Sequence, residues 1–343
     1  MMSRFGGYSL RFLFLSGILL AAVFAGCSDD ETVSEPVEVP DPSSYVWQIN
    51  ALPDGTAFAA GAEGREGRLY TNHTGVWAPH DIQVDLVASG EVTGLDGVLP
   101  ISMDDLYVFA LPAEILHLEG DQWISQPMDL TLSCGFLEQT PSGLWCLGSD
   151  GTLLRQESGE WNTVLDFRES DSILADIVES PDGTVFVSQF FHEQDIGRVH
   201  RISSGGVTAS DDLNTPVYAL AATATDTVWA AGTRLARFAE ATWDTVVSIP
   251  DSNLVVAIGQ PGDGSLTLIC EMGAVFSWRN EVLTTVQEFN QRAPLASVCY
   301  IDDTTIFGSL NYTDENTGHD MGIIVRFDGT QWIPVFLAPP ALR

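Results

Sequence analysis

The feature that most constrains this chain is an internal repeat of about 40 residues that occurs seven times. In each repeat, a turn rich in Gly, Pro, Asp, Ser or Thr leads into a short segment of alternating apolar character, which is typical of a β-strand. The central residues of these segments lie 38 to 49 residues apart, at Phe58, Tyr107, Trp145, Phe186, Trp229, Thr267 and Ile306. Because such a short unit cannot bury its apolar faces alone, it must pack against its neighbours in the chain.

Two further columns of residues follow the same repeat. A second alternating segment comes after each central segment, and at its matching position four repeats carry arginine: Arg155, Arg201, Arg237 and Arg326. A last short segment carries tryptophan in five repeats: Trp77, Trp123, Trp161, Trp243 and Trp332. Four strands joined by short turns need about 40 residues, as in a propeller blade. We therefore predict an all-β fold, a seven-bladed β-propeller with four antiparallel strands per blade, over residues 44–338.

The repeats also resemble a known group of proteins. Their pattern is Asp-Gly-Thr before the central segment, Gly-x-Leu-x-Arg-Phe in the next segment and Gly-x-Trp in the last. It resembles the propeller repeats of bacterial two-component regulator sensors and their WD-repeat-like, Kelch-like and streptogramin-lyase-like relatives. The resemblance covers roughly residues 44 to 338. It implies the fold and not the function, because propellers serve as scaffolds, hydrolases, lyases and receptors alike.

The N-terminus has the features of a secretion signal. Two arginines precede an apolar run of 14 residues, Phe12 to Ala25, which is too short to span a bilayer and fits a signal peptide. The run leads into Ala25-Gly26-Cys27, which resembles the lipobox of bacterial lipoproteins. That resemblance implies a lipoprotein signal peptide over residues 1–26 and acylation of Cys27. The alternative is an ordinary secreted protein with a chance cysteine near its cleavage site.

Residues 27–43 are predicted to be a linker. Six acidic residues and three prolines between Ser28 and Pro42 favour an extended tether that holds the domain away from the lipid. With acylated Cys27, the membrane lipid is the first predicted partner. The predicted location is the bacterial cell envelope. Ser28 and the acidic run after it resemble the sorting signals of outer-membrane lipoproteins, on either the periplasmic or the outer surface.

The charge of the chain excludes several classes of protein. All 14 basic residues are arginine, against 47 acidic residues, and the net charge is −33. The lack of lysine excludes Schiff-base chemistry, a Walker A loop and a Ser-Lys dyad. A surface this negative repels phosphate backbones, so nucleic acid is not an expected partner.

Four cysteines remain besides Cys27. Cys134 and Cys146 flank a predicted hairpin turn, which makes them a candidate disulfide in an oxidising compartment; the alternative is two small buried thiols. A second bridge, between Cys270 and Cys299 of neighbouring repeats, is left open. No Cys-x-x-Cys motif occurs, so the sequence predicts no zinc site, and it predicts no cofactor.

Two repeats have enlarged connections between their second and third strands, and these connections are the candidate contact sites. One spans Gln189 to Ile196 and the other Leu310 to Met321. In propellers such connections surround the mouth of the central channel, where ligands usually bind. The candidate partner-contact residues are Phe190, Phe191, His192, Asp314 and Asp320. The two phenylalanines have packing against the next blade as the alternative, and the second connection is either a solvated polar loop or a calcium site.

The sequence favours binding over catalysis. It has no Gly-x-Ser-x-Gly elbow, and its six histidines are scattered. We interpret the chain as a membrane-anchored extracytoplasmic lipoprotein. Its monomeric propeller would be a scaffold for an envelope protein or a small ligand. The alternatives are a lyase or hydrolase with its site at the channel mouth, and a fragment of a sensor.

Overall fold

A computed structural model describes most of residues 43–338. The gaps are residues 65, 81–93, 111–113, 128–133, 149–150, 168–171, 204–205, 225–226, 262, 289–292, 303 and 315–316. Cys27, the predicted signal peptide and the predicted linker up to residue 42 lie outside the described residues. Among the residues that the structure describes, no helix is long and apolar enough to cross a membrane.

Each blade is a four-stranded antiparallel sheet built from four consecutive strands. Blade 1 contains β1 (Ser44–Ala51), β2 (Ala57–Glu63), β3 (Glu66–Thr71) and β4 (Ala78–Pro79). Blade 2 contains β5 (Leu95–Ser102), β6 (Asp105–Ala110), β7 (Glu114–Glu119) and β8 (Gln122–Pro127). Blade 3 contains β9 (Cys134–Thr140), β10 (Gly143–Gly148), β11 (Thr152–Glu157) and β12 (Glu160–Asp166).

The remaining four blades follow the same order. Blade 4 contains β13 (Ser172–Glu179), β14 (Val185–Phe191), β15 (Ile196–Ser203) and β16 (Gly206–Leu213). Blade 5 contains β17 (Ala219–Ala224), β18 (Thr227–Ala231), β19 (Arg234–Ala239) and β20 (Thr242–Ser248), followed by a short 3-10 helix (Pro250–Ser252). Blade 6 contains β21 (Val255–Gly259), β22 (Leu266–Cys270), β23 (Val275–Arg279) and β24 (Val282–Gln287). Blade 7 contains β25 (Leu295–Asp302), β26 (Thr305–Thr313), β27 (Asp320–Phe327) and β28 (Trp332–Leu337).

The seven blades form a closed ring around a central channel. The first strand of each blade contacts the first strands of both neighbours, and β25 of blade 7 contacts β1 of blade 1. The predicted seven-bladed propeller with four strands per blade is therefore confirmed.

Side chains, and not a shared sheet, close the ring between blades 7 and 1. The side chain of Asn311 accepts a hydrogen bond from the backbone N–H of Val46 (2.9 Å) and donates one to the Val46 carbonyl (3.0 Å). The hydroxyl of Ser44 donates to the carbonyl of Ala338 (3.2 Å). These bonds link β1 of blade 1 to β26 of blade 7 and to the residue that follows β28.

The hydrophobic core lies between the blades. Phe186 of blade 4 meets Phe238 of blade 5 with ring centroids 5.4 Å apart, and Trp77 of blade 1 meets Phe307 of blade 7 edge-on at 5.5 Å. Each of these residues is buried in a cluster drawn from two adjacent blades. The aromatic columns of the repeat therefore pack blade against blade.

The repeat alignment of blade 7 is corrected by one residue. In blade 3 the central residue of the second strand, Trp145, pairs with Arg155 of the third strand. In blade 5, Trp229 pairs with Arg237 in the same way. In blade 7, Arg326 pairs with Phe307, while Ile306 pairs with Phe327. The central residue of this strand is therefore Phe307, and the prediction of Ile306 is wrong by one position. The sequence pattern did not distinguish the two because Ile306 and Phe307 are both large and apolar.

The first strands carry a bulge at the same place in six of the seven blades, and in blade 1 it lies between Val46 and Gln48. Beside this bulge the two strands approach closely, and a Cβ atom at Gly61 would lie 1.9 Å from the carbonyl oxygen of Tyr45. Only glycine fits at this position of the second strand.

Candidate functional site

The wall of the central channel is formed by the inner edges of the first strands. Their inward N–H groups have no further strand to pair with, so they need other acceptors. The residue that follows the bulge supplies such an acceptor in three blades, as Gln48, Asp176 and Ser297. Each accepts a hydrogen bond from the first strand of the next blade: from Val98 N–H (2.7 Å), Leu220 N–H (2.6 Å) and Ile49 N–H (3.3 Å), respectively.

Two carboxyl groups of this wall have opposite environments. The carboxylate of Asp176 accepts hydrogen bonds from the N–H groups of Ile177 (2.8 Å) and Leu220 (2.6 Å), which stabilise its negative charge. Glu138 lies on the first strand of the preceding blade. Burial, and secondarily the negative charge of Asp176, raises the pKa of Glu138 to about 8. Glu138 therefore keeps its proton near neutral pH, next to a carboxylate that two backbone N–H groups hold.

Asp96 is a third acidic residue of the inner strands. It occupies the bulge of β5, between Leu95 and Gly97. Burial raises the pKa of Asp96 to about 6. Sequence reasoning missed these three acids, because they come from three different blades and only the closed ring gathers them around one channel.

Three hairpins between the second and third strands extend further than the others. The pairing of β26 with β27 runs to Thr313, that of β14 with β15 to Phe191, and that of β2 with β3 to Glu63. Measured from the central residue of each second strand, the other four hairpins end at least two residues earlier. At about 3.3 Å per residue, the longer hairpins rise roughly 7 Å or more above the others.

The positions of these hairpins in the ring create two facing walls at the channel mouth. Hairpin β14–β15 forms the blade 4 wall. Hairpins β26–β27 and β2–β3 belong to adjacent blades and form the blade 7/1 wall. In a ring of seven, blade 4 stands opposite the junction of blades 7 and 1.

The blade 4 wall corrects part of the sequence prediction. Gln189 to Ile196 is not an enlarged loop, because β14 continues to Phe191 and only residues 192–195 form the turn. Phe190 is buried, with its ring 4.9 Å from those of Tyr218 and His192. It therefore packs against the connection to blade 5 and is not available to a partner. Phe191 is half-buried, and the guanidinium of Arg198 lies 5.1 Å from its ring centre.

A buried histidine links the strands of blade 4 below this wall to one another and to the residue that follows blade 3. The ring nitrogens of His200 lie 2.8 Å from Gln189 Oε1 and 2.8 Å from Ser210 Oγ, and the ring stacks on Phe167 at 4.7 Å. Burial, with a smaller effect of the Arg198 charge, lowers the pKa of His200 to about 4. The imidazole is therefore neutral near pH 7 and serves as a structural link.

This environment predicts a pH effect. The pKa of His200 is lower in the folded chain than in the unfolded chain, so the folded state binds fewer protons between about pH 6.5 and 4. The stability that His200 contributes should therefore fall by about 2 kcal/mol as the pH drops through this window. Urea unfolding of wild type and His200→Gln should show the difference between them shrinking below pH 6.5. The exposed His73→Gln variant should show no such trend.

The blade 7/1 wall also differs from the predicted loop. Most of Leu310 to Met321 is strand, since β26 runs to Thr313 and β27 begins at Asp320. The carboxylate of Asp320 accepts hydrogen bonds from the hydroxyls of Tyr45 (2.7 Å) and Thr313 (2.6 Å), so it belongs to the ring closure. The carboxylate of Asp314 accepts one from the hydroxyl of Thr317 (3.1 Å) within the tip.

Aromatic side chains line the same wall. Tyr312 is 38% exposed, and its hydroxyl lies 3.6 Å from the sulfur of Met321. Tyr45 and Trp47 stack with ring centroids 5.3 Å apart. In the part of the chain that the structure describes, no three His, Cys, Asp or Glu side chains are grouped so as to hold a metal ion.

The structure has no disulfide at Cys146, Cys270 or Cys299. Cys146 is a buried free thiol, and the register pairs it with Leu137, whereas Cys134 pairs with Gly148. The candidate Cys134–Cys146 bridge is not formed, because the tight turn that pairs Thr140 with Gly143 sets a register in which the two cysteines do not lie opposite each other. Cys270 and Cys299 are also buried free thiols in separate core clusters, and burial raises the pKa of each to about 12.

A small cavity lies on the opposite face of the ring, between blades 4 and 5. Its volume is about 260 Å³, and its lining includes Asp182, Phe186, Arg201, Phe238 and Glu240. The guanidinium of Arg201 lies 5.0 Å from the ring centre of Phe238. The cavity is thus lined by acidic and basic side chains and by two aromatic rings. The sequence did not reveal it, because its lining comes from two blades.

Comparisons with known proteins agree with the architecture. No protein-family model matches the chain, and no curated protein sequence matches it. Among solved structures, the WD40 β-propeller domain of Doa1 is 14% identical with a TM-score of 0.59, over 77% of this chain and 89% of that one. The extracellular domain of a putative one-component system from B. thetaiotaomicron is 13% identical with a TM-score of 0.57, over 85% of this chain and 46% of that one.

A third similar structure is an enzyme. Selenomethionine-substituted virginiamycin B lyase from Staphylococcus aureus is 14% identical with a TM-score of 0.59, over 83% of this chain and 95% of that one. Likeness at these identities shows the fold alone. The class that the fold defines is the seven-bladed β-propeller, and this chain is similar to WD40 and related propellers.

Proposed function

We propose that this chain is a lipid-anchored extracytoplasmic binding protein that holds a protein partner between the blade 4 wall and the blade 7/1 wall. The observation that carries this proposal is the pair of raised hairpin walls on opposite sides of the channel mouth. Two rigid walls on one closed ring offer preorganised surfaces, which reduces the entropy lost when a partner binds.

The side chains of the walls suit a protein surface. Tyr312 is exposed on one wall, and Phe191 with Arg198 lies on the other. Tyr and Arg are the residue types that most often anchor protein interfaces. The wall tips also carry acidic residues, including exposed Glu66 and Glu193, and the chain as a whole has a net charge of −33. The partner is therefore expected to present a basic surface.

A photocrosslinking side chain in place of Tyr312 tests this proposal in the native cell envelope. Ile124 on the outer strand of blade 2 is a matched control, because it is 42% exposed and Tyr312 is 38% exposed. We expect a discrete crosslinked protein from position 312 and none from position 124. Identical adducts from both positions would count against binding at the walls.

The extracytoplasmic location rests on the signal-like N-terminus, and the extracellular domain among the similar structures supports it. If Cys27 carries the acyl chains, Cys27→Ala should move the protein from the membrane fraction to the soluble fraction, because two or more acyl chains are needed for stable anchoring. Fractionation and the mass of the N-terminal peptide provide the measurement. A Cys27→Ala protein that still sediments with the membranes would contradict the anchor, and Cys146→Ala should leave fractionation unchanged.

One observation favours the second candidate, an enzyme of the lyase or hydrolase class. Glu138 keeps its proton near neutral pH because of burial and the nearby charge of Asp176, as a general acid requires. Under this alternative, Glu138→Gln would abolish the cleavage of envelope glycans or peptides but leave crosslinking from position 312 intact. If wild type and Glu138→Gln act alike on those substrates, the alternative fails.

A further inference from the structure

Among the strands that the structure describes, the outer strand of each blade has no partner strand on its outer edge. Proteins protect such edges with short strands, proline or charged residues, because a bare edge pairs with other chains. Six of the seven outer strands here carry such protection. Strand β4 has two residues and Pro79, β8 ends in Pro127, β28 contains Pro334, and β12, β16 and β20 contain acidic residues.

Strand β24 of blade 6 is the exception among these strands. Its sequence, Val-Leu-Thr-Thr-Val-Gln, contains neither proline nor a charged residue. Four of its six residues are exposed, and Val282 is 56% and Val286 43% exposed. A bulge at Val286 interrupts the strand, but the residues before it have high β-propensity and lack proline and charge, so this part of the edge is a ready template for another strand.

The hairpin geometry determines which backbone groups β24 presents. Residues 280 and 281 form a two-residue turn, both with positive φ, and Arg279 pairs with Val282. In such a hairpin the pair next to the turn is hydrogen-bonded within the sheet, and alternate residues point their N–H and C=O groups outward. Leu283 and Thr285 therefore present backbone donors and acceptors to the outside of blade 6.

We propose that β24 is a docking edge for an extended segment of a partner protein, which adds a fifth strand to blade 6. Main-chain hydrogen bonds to Leu283 and Thr285 would hold this segment, as in β-strand addition generally. The edge lies on the circumference of the ring, away from the two walls at the channel mouth. Binding there is independent of binding at the walls.

The charges at the two ends of β24 indicate what the segment must contain. Exposed Glu281 precedes the strand and exposed Glu288 follows it. The segment therefore needs an uncharged β-forming core with basic residues on both sides. A second copy of this chain does not fit this requirement, since antiparallel pairing of β24 with itself would bring Glu281 of one copy close to Glu288 of the other, and like charges repel.

A synthetic peptide tests the proposal directly on the folded protein. The probe is a fluorescent peptide with a core of alternating threonine and valine and two arginines at each end. A second peptide of the same charge has one proline in its core, which removes a donor and prevents strand addition. We expect saturable binding of the first peptide in fluorescence anisotropy and at least about tenfold weaker binding of the second.

Two matched variants locate the binding edge. Val286 on β24 and Val207 on β16 are both 43% exposed. Val286→Lys places a protecting positive charge on the edge and should weaken binding about tenfold, whereas Val207→Lys should change it less than about twofold. Bound peptide should also slow hydrogen exchange at the amides of Leu283 and Thr285. Matching thermal unfolding of both variants and wild type shows that neither change acts through misfolding.

Several results would overturn the proposal. Failure of wild type to bind the first peptide would do so, as would equal binding of the proline peptide, which would indicate adsorption to the acidic surface. Equal loss of binding in Val286→Lys and Val207→Lys would place the contact elsewhere. A concentration-dependent dimer that disappears in Val286→Lys would assign β24 to a second copy of this chain instead of a partner.

Discussion

A chain that ends before blade 7, at residue 294, is expected to lose cooperative unfolding altogether. Blade 1 would lose the partner that covers one of its faces, because Val46, Ile49 and Trp77 are buried in one cluster with Phe307 and Ile324 of blade 7. Blade 6 would lose the blade 7 residues that bury its other face, where Ile269 and Val275 pack. With two large apolar faces exposed, the ring has no closed core to unfold as a unit.

Thermal unfolding followed by near-ultraviolet circular dichroism measures this effect. Removal of residues 1–42, which precede the first blade, is the control and should leave the transition unchanged. The single change Asn311→Ala should give an intermediate result. It removes both hydrogen bonds to Val46 and leaves buried backbone groups unpaired, at a cost of about 2–3 kcal/mol. A sharp, unshifted transition in the chain without blade 7 would contradict closure of the ring between blades 7 and 1.

Glu138→Gln is expected to stabilise the folded chain by about 3 kcal/mol at pH 8. The pKa of Glu138 is raised to about 8 in the folded state, against an ordinary value of 4.5. Between these values the unfolded chain releases the proton and the folded chain keeps it, so wild type loses stability as the pH rises. Glutamine resembles the protonated acid and avoids this loss. Part of Glu138 faces the channel, and the water there keeps the gain below the full value of the shift.

The test is urea unfolding of wild type and Glu138→Gln from pH 4 to pH 9. The two proteins should have similar stability near pH 4.5 and diverge steadily toward pH 8. The same exchange at exposed Glu288 should change the stability by less than about 0.5 kcal/mol at any pH in this range. A Glu138→Gln variant that is less stable than wild type at pH 8, or whose difference from it does not vary with pH, would show that this carboxyl is ionised in the folded channel.

The repeat pattern was sufficient to predict the number of blades and the strands in each. Those features depend on period-two patterning and turn residues, which are local properties of the chain. The register within a blade was less accessible. In blade 7 the apolar neighbours Ile306 and Phe307 fit the pattern equally well, and only pairing with Arg326 distinguishes them.

The candidate site was predicted in part. The sequence indicated blades 4 and 7 correctly as those with long second-to-third connections, but it extended the predicted loops into polar residues such as Gln189 and Asn311, which lie on strands β14 and β26. It missed the third long hairpin, in blade 1, and the pairing of Glu138 with Asp176. Both depend on which blades the closed ring brings together, and no local pattern carries that information.

The most direct test of the proposed function uses two photocrosslinking positions in the native envelope, one on each wall. Exposed Glu193 lies at the tip of the blade 4 wall, and Tyr312 lies on the blade 7/1 wall. A partner held between the walls should crosslink to both positions in separate variants, and a variant with both should yield one adduct joined at two points. If the two positions capture different proteins, or neither captures one while position 124 does, the channel mouth is not where this propeller binds its partner.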